Sequence, residues 1–158
     1  MIVIKNLLAE KDHEYLQDLC REKNYRLTGS HLNATKNNFL SSLFLEENEY
    51  RVLFEEVLKK TSLKGDISSV KRAYINCAPA GKFHGGDWHK DDRNITVLYY
   101  PFGWDQKFGG GTVFSNNKAV DYVANSVVCF STDLAHKAEP HRAPAWRFTI
   151  ALKTTLEW

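Results

Sequence analysis

Residues 95–100 of the chain read ITVLYY, and residues 147–154 read RFTIALKT. Both segments are rich in β-branched and aromatic residues, which favour strands in half-buried sheets. Comparable short runs lie at residues 70–77, 112–115, 119–123 and 126–130. Glycine and asparagine residues that favour turns separate these runs. So many short strands within one segment predict a two-sheet barrel or jelly roll.

Two helical patterns precede the strands. Apolar residues recur at helical spacing at Leu8, Tyr15, Leu16 and Leu19, and again at Tyr50, Phe54, Val57 and Leu58. The chain has 158 residues, which is the size of one domain. We therefore predict a single domain of the α+β class, mainly β. Residues 1–66 would form a mostly helical support, packed on one sheet of a β-core at residues 67–158.

The overall composition argues against several classes of protein. The formal net charge is +2 and the basic residues are scattered, whereas nucleic-acid-binding proteins usually carry a concentrated basic surface. The cysteines Cys20, Cys77 and Cys129 include no Cys-x-x-Cys pair, so neither a disulfide framework nor a thiolate zinc site is expected. No apolar run approaches the roughly 20 residues of a membrane helix. We expect a soluble cytoplasmic protein that makes no membrane contact.

A candidate metal site lies just before the strand at residues 95–100. Residues 85–92 read GGDWHKDD, which contains a His-x-Asp pair at His89 and Asp91. On a strand, residues i and i+2 point to the same side, so both side chains could bind one metal ion. A second histidine from elsewhere would complete the two-histidine, one-carboxylate site of non-haem iron enzymes. A His-x-Asp pair alone is a weak signal.

Three features further along the chain strengthen this interpretation. His136 follows soon after the predicted buried strand at residues 126–130. Arg147 and Thr149 lie on the strand face opposite an apolar stripe, because side chains alternate along a strand. If that face lines the barrel, the arginine needs an anionic partner, since an unpaired buried charge is costly. A dicarboxylate would be such a partner, and Tyr100 offers a phenol to the same pocket.

These segments resemble those of a known enzyme family. Over roughly residues 70–155 the sequence is similar to the prolyl 4-hydroxylase-like branch of the 2-oxoglutarate/Fe(II)-dependent oxygenases. The matching segments are the His-x-Asp pair, RNITVLYY at 93–100, Trp104 followed by GGGTVF at 109–114, NSVVCF at 125–130, His136 with Pro140, and Arg147 in the closing strand. The resemblance implies a double-stranded β-helix, a jelly-roll or cupin-like fold. It also implies that His89, Asp91 and His136 are the iron ligands and the catalytic centre.

The same resemblance implies a cosubstrate and a reaction. Arg147, assisted by Thr149 and Tyr100, would bind the far carboxylate of 2-oxoglutarate. Decarboxylation of 2-oxoglutarate to succinate and CO2 would be coupled to hydroxylation of a C–H bond by O2. The expected substrate is a peptidyl proline or another amino-acid side chain, with ascorbate as an optional further cofactor. Asp91 favours hydroxylation over halogenation, because halogenating relatives carry a small residue at this position.

Other residues near the candidate site have plainer interpretations. His84 and His141 are rival ligands, but His84 is expected to be a loop or substrate-side residue and His141 to lie on a loop surface. Asp87 and Asp92 are expected to be solvated or to orient a ligating imidazole. Trp104 is expected to pack beneath the glycine turn at residues 109–111. The sequence does not decide which aromatic side chains line the substrate mouth; the candidates are Tyr74, Trp88 and Trp146.

Two other functions stay open at this point. The same iron chemistry could demethylate nucleic acid, although the basic residues near the site are interspersed with aspartates. These basic residues are Lys82, Lys90, Arg93 and Arg142. A catalytically silent, metal-binding jelly roll is the non-enzymatic alternative. As an enzyme, the chain is expected to act on a protein, peptide or amino acid with O2, as a monomer or weak dimer, and not on nucleic acid.

Overall fold

A computed structural model describes residues 1–27, 40–42, 44–81 and 83–158, so Lys82 lies outside the described residues. Two helices occur in this part of the chain, α1 at Glu10–Glu22 and α2 at Glu47–Lys60. The strands are β1 at Ile2–Lys5, β2 at Arg26–Leu27, β3 at Leu40–Ser42, β4 at Val70–Ala78, β5 at Ile95–Tyr100, β6 at Thr112–Phe114, β7 at Ala119–Val120, β8 at Ser126–Ser131, β9 at His136–Ala138 and β10 at Arg147–Thr154. No described helix has the length and hydrophobicity needed to cross a membrane.

The strands form two antiparallel sheets. The larger sheet has the order β1-β8-β5-β10-β4-β3-β2, and the smaller one has the order β7-β6-β9. Side chains from both sheets meet in one apolar cluster, with Tyr100, Phe130 and Ala151 from the larger sheet and Phe114 and Val120 from the smaller. The two sheets therefore face each other across a shared interior. This arrangement confirms the predicted mainly β, jelly-roll-like double-stranded β-helix.

The helices cover the outer face of the larger sheet. Leu16 of α1 and Phe54 of α2 belong to a second buried cluster that also contains Val97, Ile150 and Leu152 from the sheet strands. The predicted packing of N-terminal helices on one sheet is confirmed. Burial of these apolar side chains is the main force that holds the helices on the sheet.

One helix prediction was wrong in detail. Tyr15 was placed on the buried face of the first helix, but its side chain is 43% exposed. The buried face is centred on Leu16 and Cys20, which are four residues apart and therefore lie one above the other. Leu8 is buried, but it precedes the first residue of α1, Glu10.

The strand predictions agree best in the centre of the larger sheet. β5 and β10 have the predicted bounds, and β10 lies between β5 and β4. β1 and β9 were not predicted from the sequence. β9 reads His-Lys-Ala, which has no intrinsic preference for a strand, and it forms because it pairs with β6. Its position matters for the site, because His136 is its first residue.

The inner face of β10 carries the polar residues that were expected to look into the barrel. Ile150 and Leu152 belong to the helix-side cluster, whereas Ala151 belongs to the cluster between the sheets. Because side chains alternate along a strand, Arg147 and Thr149 share the inner face with Ala151. Lys153 continues this row at the other end of the strand, and it is only 3% exposed.

Candidate functional site

Three potential metal ligands converge at one end of the barrel. His89, Asp91 and His136 each offer a ligand atom, and these atoms all lie within 4.8 Å of one another. Nε2 of His136 lies 3.5 Å from Oδ2 of Asp91, and Nε2 of His89 lies 3.9 Å from Oδ1 of the same carboxylate. Two imidazoles and one carboxylate on one side of a common point match the donor set of a non-haem Fe(II) site. The residues present therefore fit this metal.

The backbone explains why these side chains meet. His89 and His136 face each other in an isolated antiparallel bridge, with N–O distances of 3.1 and 2.9 Å in the two directions. Their rings consequently lie side by side, with centroids 4.4 Å apart and planes tilted by 55°. Asp91 lies in the irregular segment that leads into β5, so the His-x-Asp pair does not lie on a regular strand as expected. Cross-strand pairing, and not i, i+2 alternation alone, brings the three ligand atoms together.

Backbone carbonyls orient both imidazole rings. Nδ1 of His89 lies 2.9 Å from the carbonyl oxygen of Asp87, and Nδ1 of His136 lies 3.3 Å from that of Leu134. A carbonyl oxygen only accepts, so Nδ1 must carry the hydrogen in each ring. The lone pair of each Nε2 is then free for a metal. Asp87 thus orients a ligand through its backbone, while the carboxylate of Asp92 pairs with Arg72 at 2.6 Å.

The protonation states of the buried ligands suit metal binding. Burial lowers the pKa of His136 to about 4, so its imidazole is neutral at pH 7. Burial by itself would raise the pKa of Asp91, but the Lys153 ammonium and the Thr96 hydroxyl outweigh this effect and lower it. Asp91 is therefore ionised at neutral pH. Metal ligands must be deprotonated, and both of these groups already are.

Lys153 is a residue of the site that the sequence analysis missed. Its ammonium contacts Oδ2 of Asp91 and lies 3.3 Å from Oγ1 of Thr96. The Thr96 hydroxyl donates to the same Oδ2 at 2.7 Å. The signal was present in the sequence, because Lys153 lies in the same alternating row of β10 as Arg147 and Thr149. Continuing that row by two more steps places a lysine on the inner face.

Arg147 is buried at the other end of that row. Its side chain is 3% exposed, its Nε donates to the carbonyl of Gly110 at 2.5 Å, and its Nη2 lies 3.4 Å from the carbonyl of Gly111. The guanidinium also lies over the ring of Tyr122, 5.2 Å from its centroid. Among the described residues, no carboxylate oxygen lies within 4.0 Å of it. A buried cation in this setting gains strongly from an anionic ligand.

The two residues expected to assist Arg147 lie beside it. Tyr100 is fully buried, and its ring centroid is 6.0 Å from the guanidinium carbon. Its hydroxyl donates to Oγ1 of Thr112 at 2.6 Å. Ile150 pairs with Tyr99 at the end of the β10–β5 ladder, and Thr149, the residue before Ile150, is buried. Arg147, Thr149 and Tyr100 are thus all buried on the neighbouring strands β5 and β10.

The two rival histidines, His84 and His141, differ in their exposure to solvent. His84 is exposed, as expected, and neither residue belongs to the metal-ligand group. His141 was expected on the surface, which is wrong, because its side chain is 1% exposed. Its backbone pairs with that of Phe83 at 3.0 and 3.1 Å, which draws the ring between Phe83 and Trp104. Both ring nitrogens are buried without a hydrogen-bond partner among the described residues.

The buried imidazole of His141 should make stability depend on pH. Burial, together with a smaller effect of the Arg147 charge, lowers the pKa of His141 from an ordinary value of 6.5 to about 4. Between these values the unfolded chain binds a proton that the folded chain does not. Stability is therefore full above pH 6.5 and is lost as the pH falls towards 4. At 1.36 kcal/mol per pKa unit, we expect a loss of about 2 kcal/mol between pH 6.5 and pH 5.

Urea unfolding of metal-free protein at both pH values would measure this loss. His141→Phe is the matched control, because it keeps an aromatic ring beside Phe83 and Trp104 but cannot be protonated. The parent should therefore lose about 2 kcal/mol relative to the variant as the pH falls from 6.5 to 5. Equal pH dependence in both proteins would contradict a depressed pKa at His141.

Trp104 packs as expected beneath the glycine turn. Its indole Nε1 donates to the carbonyl of Gly109 at 2.7 Å. Gly110 has φ +89°, and a Cβ there would lie 2.7 Å from the indole ring, so only glycine fits this position. Because the chain passes close to the indole ring at Gly110, the Gly110 carbonyl lies within hydrogen-bonding distance of Nε of Arg147.

The remaining aromatic candidates lie in different surroundings. Trp88 and Trp146 are 51% and 45% exposed, and the Lys137 ammonium lies 4.9 Å from the Trp88 ring centroid. The Tyr74 ring is half-buried beside the metal ligands, 5.8 Å from Nζ of Lys153. The Tyr74 ring therefore lies near the buried ammonium that contacts Asp91.

Solved structures share this fold. A prolyl hydroxylase from Trichoplax adhaerens, in complex with a peptide fragment of the hypoxia inducible factor oxygen degradation domain, has a TM-score of 0.72 at 18% identity, covering 96% of this chain and 81% of that one. A prolyl-4-hydroxylase from Pseudomonas putida has a TM-score of 0.70 at 14% identity, covering 97% and 91%. HygX from Streptomyces hygroscopicus, with nickel and 2-oxoglutarate bound, has a TM-score of 0.65 at 10% identity, covering 96% and 80%.

The chain has the fold of these oxygenases. The likeness extends over nearly the whole chain, which includes the helical support as well as the two sheets. No protein-family model and no curated protein sequence matches it. At these low identities the comparisons show the fold, while the chemistry has to be argued from the side chains of the site.

Proposed function

We propose that the chain is a non-haem Fe(II) dioxygenase that couples decarboxylation of 2-oxoglutarate with hydroxylation of a C–H bond. One observation carries this proposal: a metal-ligand group lies in the same barrel as a buried guanidinium that has no carboxylate oxygen within 4.0 Å among the described residues. His89, Asp91 and His136 supply the metal ligands. Arg147 supplies the site for a carboxylate. A ligand that binds a metal at one end and an arginine at the other is a dicarboxylate such as 2-oxoglutarate.

The residues of the chain have separate roles in this reaction. Fe(II), when bound, would supply the oxidising chemistry for the reaction of 2-oxoglutarate, O2 and a substrate C–H bond to succinate, CO2 and the hydroxylated substrate. The backbone carbonyls of Asp87 and Leu134 hold the two imidazoles with Nε2 available to the metal. Arg147 offers a planar pair of donors that match a carboxylate, assisted by Thr149 and Tyr100. The closely packed cluster between the sheets keeps water from the cosubstrate.

The substrate we propose is a peptidyl proline or another amino-acid side chain. The sequence resemblance to the prolyl 4-hydroxylase-like branch supports this choice, as do the two prolyl hydroxylases among the structures with the same fold. A nucleic-acid demethylase would need a basic groove beside the site. Arg93, one of the basic residues near the site, lies 3.6 Å from the carboxylate of Asp92, so its charge is offset and it adds nothing to such a groove.

Succinate formation tests the proposed reaction directly. Protein loaded with Fe(II) should convert 2-oxoglutarate to succinate slowly, and a true substrate should stimulate the conversion. Candidate substrates are proline-containing peptides, free amino acids and oligonucleotides, assayed by mass spectrometry for a gain of one oxygen atom. Chelated protein is the control. A protein that binds metal but forms no succinate with any candidate would favour the catalytically silent jelly roll instead.

The cysteines bear on the compartment in which the enzyme would work. Cys20, Cys77 and Cys129 are free and buried, which suits a reducing compartment such as the cytoplasm. Partners beyond O2 and the substrate are not required by the site, so we propose a monomer or weak dimer. Ascorbate would act as an optional reductant that keeps the iron in the Fe(II) state.

A further inference from the structure

Lys153 is a buried cation at the metal end of the barrel. Its side chain is 3% exposed, and it lies near the end of β10, in the central part of the larger sheet. Removing an ammonium group from water is costly, so a lysine in this position needs a compensating partner. Its partner is Asp91, the carboxylate of the candidate metal site.

The contacts of Asp91 divide between its two oxygens. Oδ2 accepts from the Lys153 ammonium and from the Thr96 hydroxyl, the latter at 2.7 Å. Oδ2 also lies 3.5 Å from Nε2 of His136, while Oδ1 faces Nε2 of His89 at 3.9 Å. Two donors on one oxygen prevent the carboxylate from rotating about its Cβ–Cγ bond. The other oxygen is then held in a constant position relative to the imidazole of His89.

We propose that Lys153 is a positioning residue of the metal site, acting together with Thr96. By holding Oδ2, the two side chains fix the orientation of the Asp91 carboxylate towards the imidazoles of His89 and His136 before the metal binds. The inference rests on the proposed function only in taking Asp91 as a ligand. Groups that orient a metal ligand in this way raise the affinity for the metal, because the ligand side chain loses less conformational entropy on binding.

A purely structural role for the ion pair would have different consequences. Buried ion pairs contribute little net stability, and apolar residues of similar volume often replace them without loss. If Lys153 served only the fold, its replacement would leave the affinity of the folded protein for metal unchanged, whatever its effect on the unfolding midpoint. Metal affinity is therefore the measurement that separates the two roles.

Mn²⁺ binding to the metal-free protein, measured by calorimetry, tests the proposal. Lys153→Met keeps the length and apolar part of the side chain but removes the donor, and affinity should fall about 10- to 100-fold. Thr96→Val should also weaken binding, by a smaller factor. Because both donors act on one oxygen, the double variant should differ from the product of the two single effects.

Arg72→Met is the matched control. Arg72 lies 5.7 Å from the Tyr74 ring centroid and Lys153 lies 5.8 Å from it, but Arg72 pairs with Asp92 instead of Asp91. This variant removes a neighbouring positive charge without touching the ligand, so its Mn²⁺ affinity should stay within about twofold of the parent. A similar loss in Arg72→Met and Lys153→Met would overturn the proposal.

Circular dichroism establishes that each variant is folded. A folded Lys153→Met protein that binds Mn²⁺ as tightly as the parent, or more tightly, would refute the positioning role. If Lys153→Met does not fold, Thr96→Val decides, and unchanged affinity there refutes it. A parent that binds Mn²⁺ but forms no succinate would refute the proposed reaction alone, because the affinity ratios are measured without turnover. A parent that binds no metal would refute both.

Discussion

Replacing Asp91 or His136 by alanine is expected to abolish metal binding and succinate formation together. Either change leaves two of the three ligand atoms that now lie within 4.8 Å of one another. Residues that only orient a ligand typically contribute 10- to 100-fold to metal affinity, so loss of a ligand itself should cost more than about 100-fold. Elemental analysis after dialysis should therefore find about one metal ion per chain in the parent and almost none in either variant.

His84→Ala is the control for this experiment. His84 is exposed, it precedes His89 by five residues in a glycine-rich segment, and it is not part of the ligand group. Its replacement should leave metal content and turnover unchanged. Full activity in Asp91→Ala or His136→Ala would contradict the assignment of these residues as metal ligands. Loss of metal in His84→Ala would instead show that the first histidine ligand was chosen wrongly.

Replacing Arg147 by alanine should weaken 2-oxoglutarate binding while metal binding survives. The change removes two charge-assisted hydrogen bonds to the far carboxylate, each worth about 1.5–3 kcal/mol. At 1.4 kcal/mol for each factor of ten, affinity for 2-oxoglutarate should fall by about two orders of magnitude or more. Titration of Mn²⁺-loaded protein with 2-oxoglutarate measures this loss. Metal affinity should be unchanged, because Arg147 is not a ligand.

Two further variants make the Arg147 experiment specific. Arg147→Lys restores the charge but not the planar pair of donors, so it should recover part of the affinity. Arg142→Ala removes an exposed arginine from the preceding loop and should have no effect. If Arg147→Ala binds 2-oxoglutarate as tightly as the parent, then Arg142 or a lysine holds the carboxylate, and the proposed role of the closing strand is incorrect.

The sequence by itself determined the parts of this protein that depend on local pattern. β5 and β10 have the predicted bounds, because their β-branched and aromatic residues alternate between two buried faces. The same alternation predicted that Arg147 and Thr149 share one face. The helical spacing of Tyr50, Phe54 and Val57 predicted the buried face of α2 for the same reason, since a periodic pattern specifies which side of an element is buried.

Only the tertiary structure decided how distant segments meet. His89 comes next to His136 through a backbone bridge between residues 47 positions apart in the chain, and neither lies in a segment with strong strand preference. His141 is buried because its backbone pairs with Phe83, and Lys153 is tolerated inside the barrel because Asp91 and Thr96 meet its ammonium. Such contacts depend on long-range pairing and on compensation of buried charge. Neither is encoded in the spacing of residues along the chain.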